Sequence, residues 1–370
     1  MTVGIPKEIK TQEHRVSMIP SSVGELTRRG HRVLVQTQAG AGASYPDESY
    51  LAQGAEIVGT AEEVFAQSEL IVKVKEPQAS EVAMLNEQHT LFTYLHLAAD
   101  KHLTETLVAS GCTAIAYETI EVNNRLPLLE PMSEIAGRMS SIVGSYHLAK
   151  HRGGRGTLLG GVPGVAPGRV VVIGGGTAGV NAARVATGIG ADVSILEVDF
   201  DRMRFLDITM EGAHTVFSNE ANLSDLLPRV DLVIGAVLVP GAAAPKLITR
   251  EMLKMMQPGS VFVDIAVDQG GCAETTRPTT HDEPTYYEED VLHYCVANMP
   301  GAYSRTSTQA LNNCTQRWTT LIADEGVAAA CKIRPELLGG INCTGGKLTC
   351  PPVGEAHDLA SVDPAELITG

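Results

Sequence analysis

The sequence predicts an α/β protein of two domains, and three observations carry that prediction. A chain of 370 residues exceeds what one hydrophobic core usually organises, so two domains of ordinary size are expected. Hydrophobic residues make up 44% of it and aromatic ones only 4%, so the interior is filled mainly by Val, Ile, Leu and Ala, as in buried parallel sheets. Short β-rich runs alternate with helical stretches almost from end to end, which implies right-handed crossovers between parallel strands.

The first series runs TVGI, a helix through VGELTRRG, HRVLVQT, a helix near AEEVFAQ, then LIVKV, LFTYL and TAIAY, and covers about the first 125 residues. NNRLPLLEP then breaks regular structure with turn residues and two prolines, and a helix begins near Ser133. It leads into GGRGTLLGGVPGVAPG, an irregular loop whose Leu and Val residues set it apart from a disordered linker. A second series follows: RVVVI, DVSIL, TVF, DLVIGAV, SVFVDIAV and VLHYCVA. Six strands with intervening helices are what a doubly wound fold requires. After Pro300 the strands are expected to stop. From Ser304 onward the chain reads as helical with a mostly apolar face, suited to packing back on the first domain. No internal repeat is visible beyond the likeness of the two α/β halves.

A formal charge of −15, with basic residues scattered along the chain, argues against nucleic acid and anionic membranes as partners. The start MTVGIPKEIK lacks an apolar stretch behind a basic one, and no run is long enough to span a bilayer, so a cytoplasmic location is expected. The seven cysteines lie between Cys112 and Cys350 without a CxxC pair, which suggests neither a disulfide framework nor a zinc site. Cys343, Cys350 and His357 are poorly spaced as ligands, and no metal site is expected.

One motif is specific. RVVVI runs into GGGTAG, and the helix VNAARVATG follows. In such a GxGxxG turn the first glycine, Gly174, allows the tight bend. The second, Gly176, lets the backbone approach a pyrophosphate, and the third, Gly179, lets helix pack on strand. The helix N-terminus then faces the phosphates. The next strand ends in Glu197, eighteen positions beyond Gly179, close to the roughly twenty expected of the carboxylate that binds the adenosine ribose. This predicts a Rossmann-type dinucleotide site that favours NAD, because a carboxylate there repels the 2′-phosphate of NADP. Arg202 and Arg204 nearby pull the other way. CTGGKL near the C-terminus fails as a phosphate loop, since no glycine sits at the required distance and Leu348 follows the lysine.

Ligands of open α/β sheets bind beyond the carboxyl ends of the strands, so polar residues there are candidates. Lys75 follows LIVKV, although Lys73 would point the same way from a strand and the pattern does not choose between them. His96 follows LFTYL between two leucines, a setting open to a core histidine or to a proton-transfer group. Asp268 follows SVFVDIAV and precedes QGG, open to a turn former or to a catalytic carboxylate. Arg15, after the hydrophilic KEIKTQEH, reads by itself as a surface residue.

At these residues the sequence resembles the alanine dehydrogenase family and its kin, the nicotinamide nucleotide transhydrogenase alpha subunit. The likeness runs through GIPKE, KVKEP, LHLAA, GGVPGV, GGGTAG, LVIGAVLVPGA, VDIAVDQGGC, RPTT and YCVANMPG, and so through nearly the whole chain. It implies a discontinuous flavodoxin- or Rossmann-like α/β substrate domain, residues 1–127 with 305–370. The NAD domain, residues 128–304, would be inserted into it, with the active site in the cleft between the two. It implies an NAD-dependent amino-acid dehydrogenase that reversibly deaminates L-alanine to pyruvate and ammonium, and a hexameric assembly. Carried over residue by residue, it makes Arg15 and Lys75 the substrate-holding groups, His96 the acid/base, and Asp268 its partner at the reacting carbon. Met132 would line the small side-chain pocket. Ser133, Gly174, Gly176, Thr177, Ala178, Gly179, Glu197, Arg202, Ser218, Val237, Leu238, Ile265, Asp268, Arg277, Asn298 and Met299 would line the cofactor. Two departures stand out: the family's Asn-Glu pair is Gln12-Glu13 here, and its usual ribose-binding Asp is Glu197. Two other readings share the glycine motif: a transhydrogenase-like subunit working with a membrane partner, and a non-catalytic nucleotide sensor.

Overall fold

The computed structural model describes residues 1–237 and 244–368. The chain divides into two compact units, residues 1–132 with 301–370 and residues 133–300. The first change of unit falls between Met132 and Ser133, inside the helix Glu130–His147.

The first unit is built on β1 (Thr2–Ile5), β2 (Arg32–Gln36), β3 (Glu56–Val58), β4 (Leu70–Val72), β5 (Thr90–Thr93) and β6 (Thr113–Ala116). The second uses β7 (Arg169–Ile173), β8 (Asp192–Glu197), β9 (Ala213–Phe217), β10 (Leu232–Gly235), β11 (Val261–Asp264), β12 (Thr285–Glu288) and β13 (Val291–Tyr294). Two further strands, β14 (Ile341–Thr344) and β15 (Lys347–Leu348), return to the first sheet. The sheet orders are β15-β14-β6-β5-β4-β1-β2-β3 and β12-β13-β11-β10-β7-β8-β9. Stripped of β12, β14 and β15, which run antiparallel, both sheets have the doubly wound order 3-2-1-4-5-6. Each unit therefore has a switch point, β1 beside β4 in one and β7 beside β10 in the other, where successive crossovers leave on opposite faces and a crevice opens.

The central strands are apolar on both faces, as parallel strands covered by helices must be. Val170, Val172, Ile195, Ile234 and Val263 belong to one core of the second unit, and Val171, Ile173, Leu196, Val233 and Phe262 to the core on the opposite face.

Two expectations are corrected. Strands do not stop after Pro300, because the CTGGKL segment is the turn of the β14–β15 hairpin. Gly345 and Gly346 both take positive φ, 55° and 75°, the pair of left-handed residues that a two-residue hairpin turn demands. Among the described residues the second sheet also has seven strands, not six. Its extra strand, β12, joins β13 through Glu289 and Asp290 at φ 49° and 60°, a turn of the same kind built without glycine and hence without its usual signature. The helix Ser304–Ile333 is broken at Gly326 (φ 74°, ψ 163°), a backbone that glycine adopts readily.

Candidate functional site

In the second unit, β7 ends in the glycine turn. Gly174 takes φ +100°, and a Cβ there would lie 2.8 Å from the Ala236 carbonyl at the end of β10. A Cβ on Gly179 would lie 1.8 Å from the Gly174 carbonyl, so the third glycine is what lets the helix Thr177–Gly188 start so close to the strand. Gly176 faces open space and caps this helix without any side chain, leaving the first N–H groups available to an anion. These features fit a pyrophosphate.

Glu197, at the end of β8, closes the loop from the side. Its Oε2 accepts the Gly175 N–H at 2.8 Å, and Oε1 accepts those of Val198 and Asp199 at 2.7 and 3.1 Å. Arg202 Nε donates to the Gly175 carbonyl at 2.6 Å, so both sides of that glycine are gripped. Ser218 N donates to the Glu197 carbonyl at 2.9 Å. Thr177 and Ala178 form the first turn of the helix, and Gly137 packs against it so closely that a Cβ would come 2.1 Å from the Ala178 carbonyl. Ser133 lies three residues into the same helix Glu130–His147 as Gly137.

Val237 follows β10, and Leu238 lies outside the described residues. Beyond β11, Ile265 and Asp268 sit in the short turn Ile265–Gln269, with Asp268 exposed. The buried acid is its neighbour Asp264. That carboxylate accepts the Ala266 N–H at 3.0 Å, the Cys272 N–H at 2.9 Å and the Thr276 hydroxyl at 2.6 Å, and so fixes the loop on which Asp268 is displayed. Burial pushes the Asp264 carboxyl up, and these donors pull it back. Asn298, at φ 63°, brings its N–H to 3.5 Å from Asp268 Oδ2. Met299 is buried in the core, and the Arg277 guanidinium lies 3.9 Å over the Tyr286 ring.

In the first unit, the segments after β1, β4, β5 and β6 converge at one end of the sheet. Arg15 is only 2% exposed, which corrects its reading as a surface residue. Glu13 compensates its burial, accepting from Nε at 2.7 Å and Nη2 at 2.5 Å and also from the Arg15 N–H at 3.0 Å. The Nη1 end points to Met132 Sδ at 3.1 Å. One fork of the guanidinium is thus occupied by Glu13, and the other faces the Met132 side. Gln12 stands at φ 59°, a conformation Asn tolerates better than Gln.

The two lysines separate clearly. Lys73 is wholly buried between Glu8 (3.1 Å) and Glu81 (2.6 Å), a structural triad. Lys75 points its ammonium to Glu76 Oε2 at 3.5 Å, long for a direct hydrogen bond, while Glu8 Oε1 accepts the N–H groups of Val74 and Lys75 at 2.6 and 3.4 Å. Glu76 is also paired with Lys10. Burial raises its carboxyl, but Lys75 and Lys10 hold it below the usual range.

His96 stands three residues beyond β5 with φ 50° and ψ 34°. Its ring stacks on Tyr94 with centroids 5.8 Å apart, and 36% of the side chain stays accessible. Burial of the rest, then Lys75, push the imidazole below its ordinary 6.5, opposed by Glu76. After it, the Leu97 carbonyl accepts from His357 Nε2 at 2.7 Å and Thr104 Oγ1 at 2.9 Å.

Residues 4–136 match the family Alanine dehydrogenase/PNT, N-terminal domain, and residues 140–351 match Alanine dehydrogenase/PNT, C-terminal domain. The chain belongs to the alanine dehydrogenase/PNT family. The alanine dehydrogenases of Mycolicibacterium smegmatis and Halomonas elongata are 52% and 54% identical to it over 370 residues, the full length of all three chains. A solved L-alanine dehydrogenase, 47% identical, superposes with a TM-score of 0.92 over 97% of this chain and 100% of its own. The transhydrogenase of Sinorhizobium meliloti, 24% identical, shares the fold with a TM-score of 0.80, over 95% of this chain and 99% of its own.

Membership in the alanine dehydrogenase/PNT family accounts for the glycine motif and the polar strand ends, but several of the groups that hold them went unread in the sequence. Glu8, Glu13, Glu118, Asp264 and Gly137 carry no spacing signal of their own. The signal that could have found the four acids is the recurrence of carboxylates at or just beyond strand ends, and nothing in the sequence marks Gly137.

Proposed function

We propose that the chain catalyses the reversible NAD-dependent oxidative deamination of L-alanine to pyruvate and ammonium. The observation that carries the reading is the gathering of Arg15, Lys75, His96 and Met132 at the switch-point end of the first sheet. No ligand of the second unit's cradle requires such a constellation. Similarity to alanine dehydrogenases over the full length supports it. Among the described residues no helix is long and apolar enough to cross a membrane.

Arg15 would bind the substrate carboxylate, with Met132, whose Sδ lies 3.1 Å from Arg15 Nη1, beside the alanine methyl. Lys75 would hold the carbonyl or amine end. The cofactor would lie on Gly174, Gly176 and Gly179, with Glu197 and Arg202 toward the adenosine ribose and Ser133, Val237, Leu238, Ile265, Arg277, Asn298 and Met299 along it. When bound, NAD supplies the hydride acceptor for the alanine Cα. With the alanine ammonium having lost a proton to solvent, loss of hydride would leave an iminium, which adds water and collapses to the ketone, the hydroxyl proton passing to solvent as ammonia leaves. His96, neutral because its imidazole is depressed, takes the proton from the attacking water and returns it to the departing nitrogen. Asp268, as a carboxylate, favours the cationic iminium. We assign residues 128–304 to the cofactor and both chain ends to the substrate, within a cytoplasmic hexamer.

The experiment is an NADH absorbance assay with L-alanine, L-serine and 2-aminobutyrate, run with NAD and NADP. Turnover of alanine with NAD is the expected result. Nucleotide binding without turnover would leave a sensor, and hydride exchange between nucleotides without deamination would leave a transhydrogenase-like subunit. Glu197→Ala should narrow the preference for NAD over NADP, and an unchanged ratio of kcat/KM would assign that preference to another residue.

A further inference from the structure

We propose that Glu118 is a positioning residue for His96, acting through the peptide backbone and not through the imidazole. The inference rests on His96 being the acid/base assigned above.

His96 occupies a left-handed conformation that residues with a side chain seldom adopt, so something outside its own strand must hold it there. Beyond β5 the chain leaves the ladder, and the N–H groups of Leu95 and His96 have no strand partner. Glu118, in the short turn Tyr117–Thr119 after β6, supplies both acceptors. Its Oε1 takes the His96 N–H at 2.6 Å and the Leu95 N–H at 3.0 Å, and Oε2 lies 3.3 Å from the latter. The imidazole Nδ1 is 3.9 Å from Oε1, beyond hydrogen-bond reach, so the carboxylate does not orient the ring by touching it. The ring direction follows from the backbone that Glu118 fixes and from the Tyr94 face on which the ring lies.

The carboxylate is the form this geometry uses. Glu118 keeps only 15% of its side chain exposed. Burial pushes its carboxyl up, and the N–H groups of His96 and Leu95 oppose that shift. An amide, or a carboxyl protonated on Oε2, would turn a donor toward the Leu95 N–H that Oε2 now faces. A glutamine therefore keeps the oxygen that accepts both N–H groups but sets its amide donor against the Leu95 N–H where Oε2 now lies, while alanine loses both bonds.

The test compares intact wild-type chain with Glu118→Ala, Glu118→Gln, His96→Ala and the double variant His96→Ala/Glu118→Ala. Alanine oxidation, NADH fluorescence titration and Tm are measured for each. Displacement of a reacting group by about 1 Å costs on the order of 10²-fold, so Glu118→Ala should lower kcat about 10- to 100-fold. Glu118→Gln should lower it less, and both should leave NADH affinity within about twofold. In the His96→Ala background the second substitution should change residual turnover by less than about twofold, because a residue that acts only through His96 has nothing left to position. The proposal is overturned if Glu118→Ala, or Glu118→Gln where the alanine variant does not fold, keeps kcat within threefold of wild type. Losses that multiply in the double variant overturn it as well. If His96→Ala itself retains turnover, the acid/base assignment falls and this inference with it. Loss in His96→Ala with none in Glu118→Gln removes this inference alone.

Discussion

The two switch points of this chain are built from opposite materials. In the second unit the cradle is main chain: three glycines, the start of one helix and two side chains that grip Gly175 from either side, all between Gly174 and Arg202. In the first unit the working groups are side chains drawn from Arg15 to Met132, and carboxylates that are buried or partly buried fix three of them. Glu13 holds Arg15, Glu8 holds the backbone of Lys75, and Glu118 holds that of His96. Binding a diphosphate needs N–H groups at one fixed spacing, which a contiguous motif supplies. Moving protons near a small substrate needs charged groups kept out of water, and each of those needs a counter-charge or acceptor of its own.

This contrast can be broken at four places. The largest effect is expected at His96. His96→Ala should reduce alanine deamination by about 10²–10⁴-fold while leaving NADH affinity unchanged, because the cradle belongs to the other unit. Turnover within threefold of wild type would remove His96 from the mechanism. Its depressed imidazole adds a pH signature. Below 6.5 the unfolded histidine takes up a proton that the folded one refuses, so His96 makes stability fall as pH drops through 6.5 toward its folded value. Titration of the ring by NMR should give a midpoint below 6.5, and a midpoint above it would contradict this account.

Lys73 comes next. Removing it as Lys73→Ala strands two buried carboxylates, which should cost about 3–5 kcal/mol of stability by urea unfolding. Lys75→Ala should instead leave stability nearly intact and raise the KM for alanine. Equal destabilisation by the two would erase the distinction between a structural and a functional lysine. Gly179→Ala forces a Cβ against the Gly174 carbonyl, so NADH affinity should fall at least tenfold, with a stability loss of about 1–3 kcal/mol. Undiminished affinity would mean that the turn tolerates a wider approach of helix to strand. The smallest change is a gain: Gln12→Asn relieves a left-handed glutamine and should raise stability by about 0.5 kcal/mol. A loss would show that the Gln12 side chain is worth more than the strain.

The cradle and the alternation of strands and helices were legible because both are local. RVVVI-GGGTAG carries its strand, turn and helix in adjacent residues, and Glu197 lies at a fixed distance from them. The β14–β15 and β12–β13 hairpins were not, for different reasons. The first hid its turn in a segment weighed only as a phosphate loop, and the second turns on Glu289 and Asp290 without glycine. Among the site residues, Arg15 looked exposed because its neighbours are hydrophilic, yet one of those neighbours, Glu13, is what allows it to be buried. Lys73 and Lys75 share a parity in sequence, and only the positions of Glu8 and Glu81 tell them apart. Asp264 and Asp268 likewise differ by which one the loop encloses. Pairing across tens of residues leaves no periodic trace.

The hairpin that closes the first sheet has a bearing on how the chain is made. Residues 133–300 form one uninterrupted stretch, so that unit can complete itself as it emerges from the ribosome. The other cannot, since β6 meets its edge partner β14 only after residue 341 has been synthesised. At about 5–20 residues per second the wait after β6 is on the order of ten to forty seconds, during which the β6 edge is an open template for other strands. The two halves share a topology, but only the inserted one is free to finish first.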